Sequence, residues 1–186
     1  MAENLGVIDV QRKSGDESFI SSGKKLGFNL LEFWEWNGSD LISNAMRGRL
    51  AEFIVAKALG MAEGVRYEWD AYDLEYRKTR IEIKTSAYIQ SWKQSHLSKI
   101  VFGMQPTRAW NYETNEFGDE IKRHSDVYVF CVLSHKDQST INPLDIYQYV
   151  DRHEWQYKRN KYHLHRPSHP ATAILCIYST RKHFFQ

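Results

Sequence analysis

Along residues 40–59 the apolar positions Ile42, Met46, Leu50, Phe53 and Ile54 return every three or four residues, with mostly polar and small residues between them. That spacing predicts an amphipathic helix. Ser39 or Asp40 would cap it, and Gly60 would stop it, since a residue without a Cβ enters the left-handed turn that ends helices. The pattern then changes to short runs of β-branched and aromatic residues, and residues 66–69, 72–77, 80–87, 99–104 and 126–134 are predicted as strands. Two later runs, 146–150 and 173–178, predict added strands in the C-terminal part. Residues 1–25 are mostly polar and read as an arm, and residues 105–125 as a turn-rich connection. With no repeat and no low-complexity linker, residues 26–186 read as a single α/β domain built on a mixed sheet.

The chain of 186 residues is 42% apolar, enough for one core without disulfides or a structural metal. Cys131 and Cys176 lie inside apolar runs, where a reduced thiol acts as a small hydrophobe. No secretory leader or membrane-length apolar run is present, so a cytoplasmic protein with no membrane partner is expected. Net charge is only +2, but its distribution is uneven: residues 151–186 carry +5 and the rest −3. The basic quarter, with Lys158, Arg159 and Lys161, is a candidate to track a phosphate backbone, and a solvated basic surface is the plain alternative.

Candidate chemistry concentrates between residues 72 and 86. Side chains alternate along a strand, so in Ile81-Glu82-Ile83-Lys84 the isoleucines would enter the core while Glu82 and Lys84 share the opposite face. A hairpin with Lys78-Thr79 as its turn would set Asp73 opposite Lys84 and Glu75 opposite Glu82, making Asp73 and Glu82 diagonal neighbours about 7 Å apart. Two carboxylates and a lysine so placed suit metal-assisted cleavage of a phosphodiester; an exposed cross-strand ion pair would look the same. A second acidic-x-Lys triplet, Glu120-Ile121-Lys122, follows Gly118-Asp119 and looks like a turn entering a strand. Glu52 lies on a helix face lined by Gly48 and Ala56, small enough to bring that acid close to a sheet.

The order Arg47-Gly48-x-x-Ala51-Glu52, then Asp73, then Ile81-Glu82-Ile83-Lys84 resembles the PD-(D/E)XK superfamily of restriction-endonuclease-like nucleases. Residues 85–92 and 125–131 are similar to a bacterial group within it. The resemblance covers roughly residues 27–160. It implies a restriction-endonuclease-like mixed four-stranded core sheet flanked by helices. It also implies hydrolysis of DNA with Mg²⁺ or Mn²⁺, in restriction or repair, by catalytic residues Asp73, Glu82 and Lys84 with Glu52 in support. The metal ligands would be Asp73, Glu82, the Ile83 carbonyl and Glu52, because hard cations take oxygen donors. Tyr72 stands where the superfamily pattern has a proline.

Other residues are assigned around that centre. Ser86 and Gln90 are candidates to position substrate, and Arg47, Arg108 and Arg123 to contact phosphates, with surface ion pairs as the alternative. DNA is the expected partner, and the reading leaves room for a homodimer. His163, His165 and His169 lack a metal-site spacing. The aromatic residues Phe33, Trp34, Trp36, Trp155 and Tyr157 would stack on bases or form a core or oligomer contact. No phosphate-cradling glycine loop, dinucleotide fingerprint or Ser-His-Asp pattern occurs, which turns the reading away from kinases, oxidoreductases and serine hydrolases. The alternative function is a non-catalytic DNA-binding or assembly module on the same fold.

Overall fold

The computed structural model describes residues 5–146 and the backbone of 176–179. The elements run β1 (Ser18–Ser21), β2 (Lys24–Asn29), α1 (Leu30–Gly38), α2 (Asn44–Ala58), β3 (Leu74–Tyr76), β4 (Thr79–Ala87), β5 (Trp110–Asn111), β6 (Glu116–Phe117), β7 (Val127–Leu133), a short 3-10 turn (Gln138–Thr140) and β8 (Cys176–Ser179). The main sheet has the order β3-β4-β7-β8, with β4 and β7 parallel and the two outer pairs antiparallel. The chain is therefore α/β with a mixed four-stranded sheet, beside the small hairpins β1-β2 and β5-β6.

Helix α2 matches the expected 40–59 segment but begins later, because Ser43 rather than Ser39 or Asp40 caps it by accepting from the Met46 N–H. Asp40 instead closes the preceding turn through the Ile42 and Ser43 N–H groups. Its C-terminus ends as expected at Gly60, whose φ of +70° lets the Gly60 and Met61 N–H groups reach back to the carbonyls of Lys57 and Ala56.

The core lies on one side of the main sheet. Ala51, Ile54 and Val55 of α2 pack on Ile81, Ile83 and Ala87 of β4 and on Val127, Val129, Cys131 and Leu133 of β7. All of these strand positions are odd-numbered, as period-2 alternation requires. Burying each large aliphatic side chain contributes about 1.5–3 kcal/mol. The even-numbered residues of β4, Arg80, Glu82, Lys84 and Ser86, form the opposite face and remain partly exposed. Cys131 is fully buried, in keeping with its apolar surroundings in the sequence.

Three expectations are corrected. Residues 18–29 form a hairpin and 30–38 a helix where the sequence reading gave an arm for the first 25 residues and no helix before residue 40. The helix is set by a reciprocal cap in which Asn29 accepts from the Glu32 N–H and Glu32 accepts from the Asn29 N–H. Residues 66–69 and 99–104 are not strands; their β-forming composition finds no neighbouring strand to complete a ladder. Finally, the β3-β4 turn is Arg77-Lys78, not Lys78-Thr79. Both residues have positive φ, 49° and 67°, the twist that matches a two-residue hairpin. Leu74 consequently faces Ile81 and Glu75 faces Arg80.

Candidate functional site

The one-residue shift of the turn moves Asp73 away from Lys84 and toward Glu82, but leaves the assignment of residues to faces unchanged. Asp73 lies just beyond the β3 ladder. Its N–H donates to the Ile81 carbonyl at 2.9 Å, and its carboxylate Oδ2 accepts from the Ile83 N–H at 2.5 Å. The side chain thus takes the place of a strand carbonyl at the edge of β4. From there it feels the charges of Glu82 on β4 and of Glu52 on α2. Burial is the chief reason its pKa is pushed up to about 7; the two carboxylates add to this, while the Ile83 hydrogen bond and Lys84 oppose it.

Glu82 and Lys84 share a face, as strand alternation predicts, and are hydrogen-bonded to each other through Glu82 Oε1 and Lys84 Nζ. The other oxygen, Glu82 Oε2, accepts from the Ser125 hydroxyl at 3.3 Å. Parallel pairing sets Tyr128 of β7 beside Glu82 on this face. Burial, followed by the Glu82 charge, raises the pKa of the Tyr128 phenol. These groups floor a cleft of about 320 Å³ walled by Gly103, Gln105, Thr107, Arg123 and His124. The walls are pinned from within: Arg123 Nε donates to the Met104 carbonyl at 2.9 Å, and His124 Nε2 lies 2.7 Å from the Thr107 carbonyl.

The position of Ser125 is fixed by its neighbour. Asp126 accepts from the Arg80 backbone N–H at 3.1 Å and from Arg80 Nε and an Arg80 terminal nitrogen at 3.0 and 3.1 Å, while its own N–H donates to the Arg80 carbonyl. This clamp locks the starts of β4 and β7 in register. Sequence reading missed the clamp, Ser125 and Tyr128 as parts of the site, although Tyr128 could be placed once the parallel register was known.

Glu52, on α2 and within electrostatic reach of Asp73, is held by Arg66, whose guanidinium forks onto both carboxylate oxygens. No spacing in the sequence singles out Arg66. Arg47 is buried and ties the start of α2 together through the Ile42 carbonyl at 2.8 Å and Asn44 Oδ1 at 2.5 Å; it also reaches Gln90 Oε1 at 3.3 Å. The Gln90 amide nitrogen in turn donates to the Ala87 carbonyl and Ser98 Oγ. Both residues expected to meet substrate are thus engaged in joining α2 to the exit of β4. Ser86 lies on the Glu82 face opposite Val132, and Arg108 is exposed. The second triplet is an exposed Glu120–Lys122 pair away from the sheet. Lys158, Arg159 and Lys161, with the later histidines and Trp155 and Tyr157, lie outside the described residues. The aromatic residues Phe33, Trp34 and Trp36 sit on α1, which buries none of its side chains.

Among the described residues no three carboxylate, imidazole or thiol groups are gathered as a closed metal cage, and no helix is long and apolar enough to cross a membrane. The donor chemistry nevertheless suits a hard cation. Asp73 and Glu82 offer oxygens only, and Asp73 is kept costly as an anion by burial and two neighbouring negative charges, a cost that a cation would offset.

No curated protein and no solved structure matches the chain. A family description does match, over residues 27–173, which takes in α2, the Asp73–Lys84 hairpin, the cleft walls and β7. With its acids and lysine at the edge and face of β4, the chain belongs to the bacteriophage T4 endonuclease IV family of nucleases.

Proposed function

We propose that this protein is a metal-dependent endonuclease that hydrolyses DNA phosphodiester bonds, on a fold of the restriction-endonuclease-like kind. The observation that carries the reading is the placement of Glu82 and Lys84 on the floor of one cleft, with Asp73 hydrogen-bonded to the Ile83 N–H between them, in a chain of an endonuclease family. Asp73 and Glu82 would hold Mg²⁺ or Mn²⁺, with the Ile83 carbonyl and Glu52 as further oxygen donors. Such an ion, when bound, lowers the pKa of water and offsets charge on phosphate oxygens.

The protein's own groups account for the remaining work. Lys84 presents N–H donors on the cleft face, where they can hold the attacking water and stabilise negative charge building on the phosphorus centre. Glu82 orients that ammonium, and Ser125 keeps Glu82 turned toward it. Arg123 places positive charge at the cleft wall, suited to a flanking phosphate. The same cleavage would serve restriction or repair.

The test is nicking of plasmid and single-stranded DNA with Mg²⁺, Mn²⁺ or chelator, comparing wild type with Glu82→Gln and Lys84→Ala, all checked for folding by circular dichroism. Metal-dependent cleavage that falls about 10²–10³-fold in both folded variants is expected. Cleavage unchanged in Lys84→Ala would overturn the assignment. DNA binding that persists in Glu82→Gln, with no cleavage by wild type under any metal, would instead establish a binding module.

A further inference from the structure

Both oxygens of Glu52 are occupied by a cation the protein itself supplies. Arg66, on the irregular connection between α2 and β3, sends Nε to Oε2 and a terminal nitrogen to Oε1 at 3.1 Å. The Glu52 side chain is 14% exposed and that of Arg66 40%. The Glu52 hydrogen bond chiefly, and the charges of Asp73 and Glu68 after it, favour the charged form of the guanidinium. A positive charge therefore rests on one of the carboxylates assigned above to the metal and within electrostatic reach of another, Asp73.

We propose that Arg66 is a built-in counter-cation that holds Glu52 in the metal-free protein and must withdraw from it before a divalent ion can use that carboxylate. The inference rests on the metal-dependent reading above. Two physical points support it. A forked guanidinium leaves Glu52 no oxygen free of a strong donor, and an arginine beside a divalent ion would repel it. The contact is also of a kind that can open: a partly exposed ion pair contributes little net stability, and Arg66 sits on a connection with no regular hydrogen-bond ladder to hold it. Arg66 is a positioning residue, acting through Glu52. Were it only a strut for the 59–73 connection, its removal would lower stability and leave metal affinity unchanged.

The experiment is Mn²⁺ titration calorimetry on chelator-stripped protein: wild type, Arg66→Gln, Glu52→Gln and the double variant, each with its thermal unfolding midpoint. Arg66→Gln should bind Mn²⁺ about two- to fivefold more tightly than wild type, the range that release of an exposed ion pair allows. That gain should vanish in the Glu52→Gln background. Should Arg66→Gln misfold, Arg66→Lys keeps the charge but loses the fork, and an affinity above wild type is expected from it. Binding by wild type with no gain in either Arg66 variant overturns the counter-cation while leaving the metal site standing. Binding by Arg66→Gln alone supports the proposal in its strongest form. If none of the proteins binds Mn²⁺, the metal reading fails and the counter-cation falls with it.

Discussion

The carboxylate of Asp73 accepts the backbone N–H of Ile83, so an acid side chain completes the edge of β4 where the β3 strand has already ended. Its pKa, raised from 3.8 to about 7 chiefly by burial, means that the folded chain holds a proton there which the unfolded chain has released. Stability from this group is thus complete below about pH 4 and is lost as the pH rises through about 7. Asp73→Asn keeps an oxygen to accept from Ile83 and removes the charge. In metal-free buffer, the variant should gain on wild type in urea midpoint between pH 5 and pH 8, while losing DNA cleavage. A constant difference across that range would show that Asp73 is ionised throughout.

Ser125 is assigned the orientation of Glu82. Ser125→Ala should lower kcat about three- to tenfold, leave KM for DNA and the unfolding midpoint nearly unchanged, and be rescued by Ser125→Thr. An equal loss in the threonine variant would indicate that the hydroxyl's effect is steric.

Asp126 is predicted to matter for stability first. Removing its carboxylate leaves the Arg80 N–H and guanidinium without their acceptor, so Asp126→Ala should cost about 2–3 kcal/mol in chemical denaturation, with the exposed end of Arg80 limiting the loss. Cleavage at temperatures well below unfolding should fall as well, since Ser125 is carried by the same turn.

The α2–β4 contact offers a gain. Thr85 Oγ1 is buried without a hydrogen-bond partner among the described residues, and a Cβ built on Gly48 would stand 4.0 Å from the Thr85 methyl, an ordinary contact. Thr85→Val should raise stability by about 1 kcal/mol by removing the unsatisfied hydroxyl, and Gly48→Ala by about 0.5–1 kcal/mol through helix propensity. Thermal unfolding of both single variants and the pair measures this, and the pair should fall short of the sum because the two side chains touch.

Period-2 alternation made the two faces of β4 legible from sequence: Ile81 and Ile83 inward, Glu82 and Lys84 outward. The helix holding Glu52 was legible from its apolar spacing and Gly60. Hairpin register was not, because Arg77 and Lys78 adopt the left-handed conformation usually left to glycine or asparagine, and nothing in their side chains announces it. Arg66 and Ser125 were hidden for a different reason. Each meets its carboxylate across a long separation in the chain, 14 residues for Arg66–Glu52 and 43 for Ser125–Glu82, which only the folded topology closes. Arg47 carried a family-like motif, yet its guanidinium is spent inside the protein, a use that motif order alone does not distinguish from phosphate binding.

Because β4 and β7 run parallel, the chain must travel the length of the sheet between them, and it is this return path, through residues 103–107 and 123–125, that walls the cleft. The acids and lysine stand on the strand and its edge, whereas the surfaces a substrate would brush belong to the return path. Retargeting would therefore be separable from chemistry: replacing the wall-forming stretch of the return path while keeping Ser125 and the Asp126–Arg80 clamp would exchange what the cleft admits and leave Glu82 and Lys84 where they are.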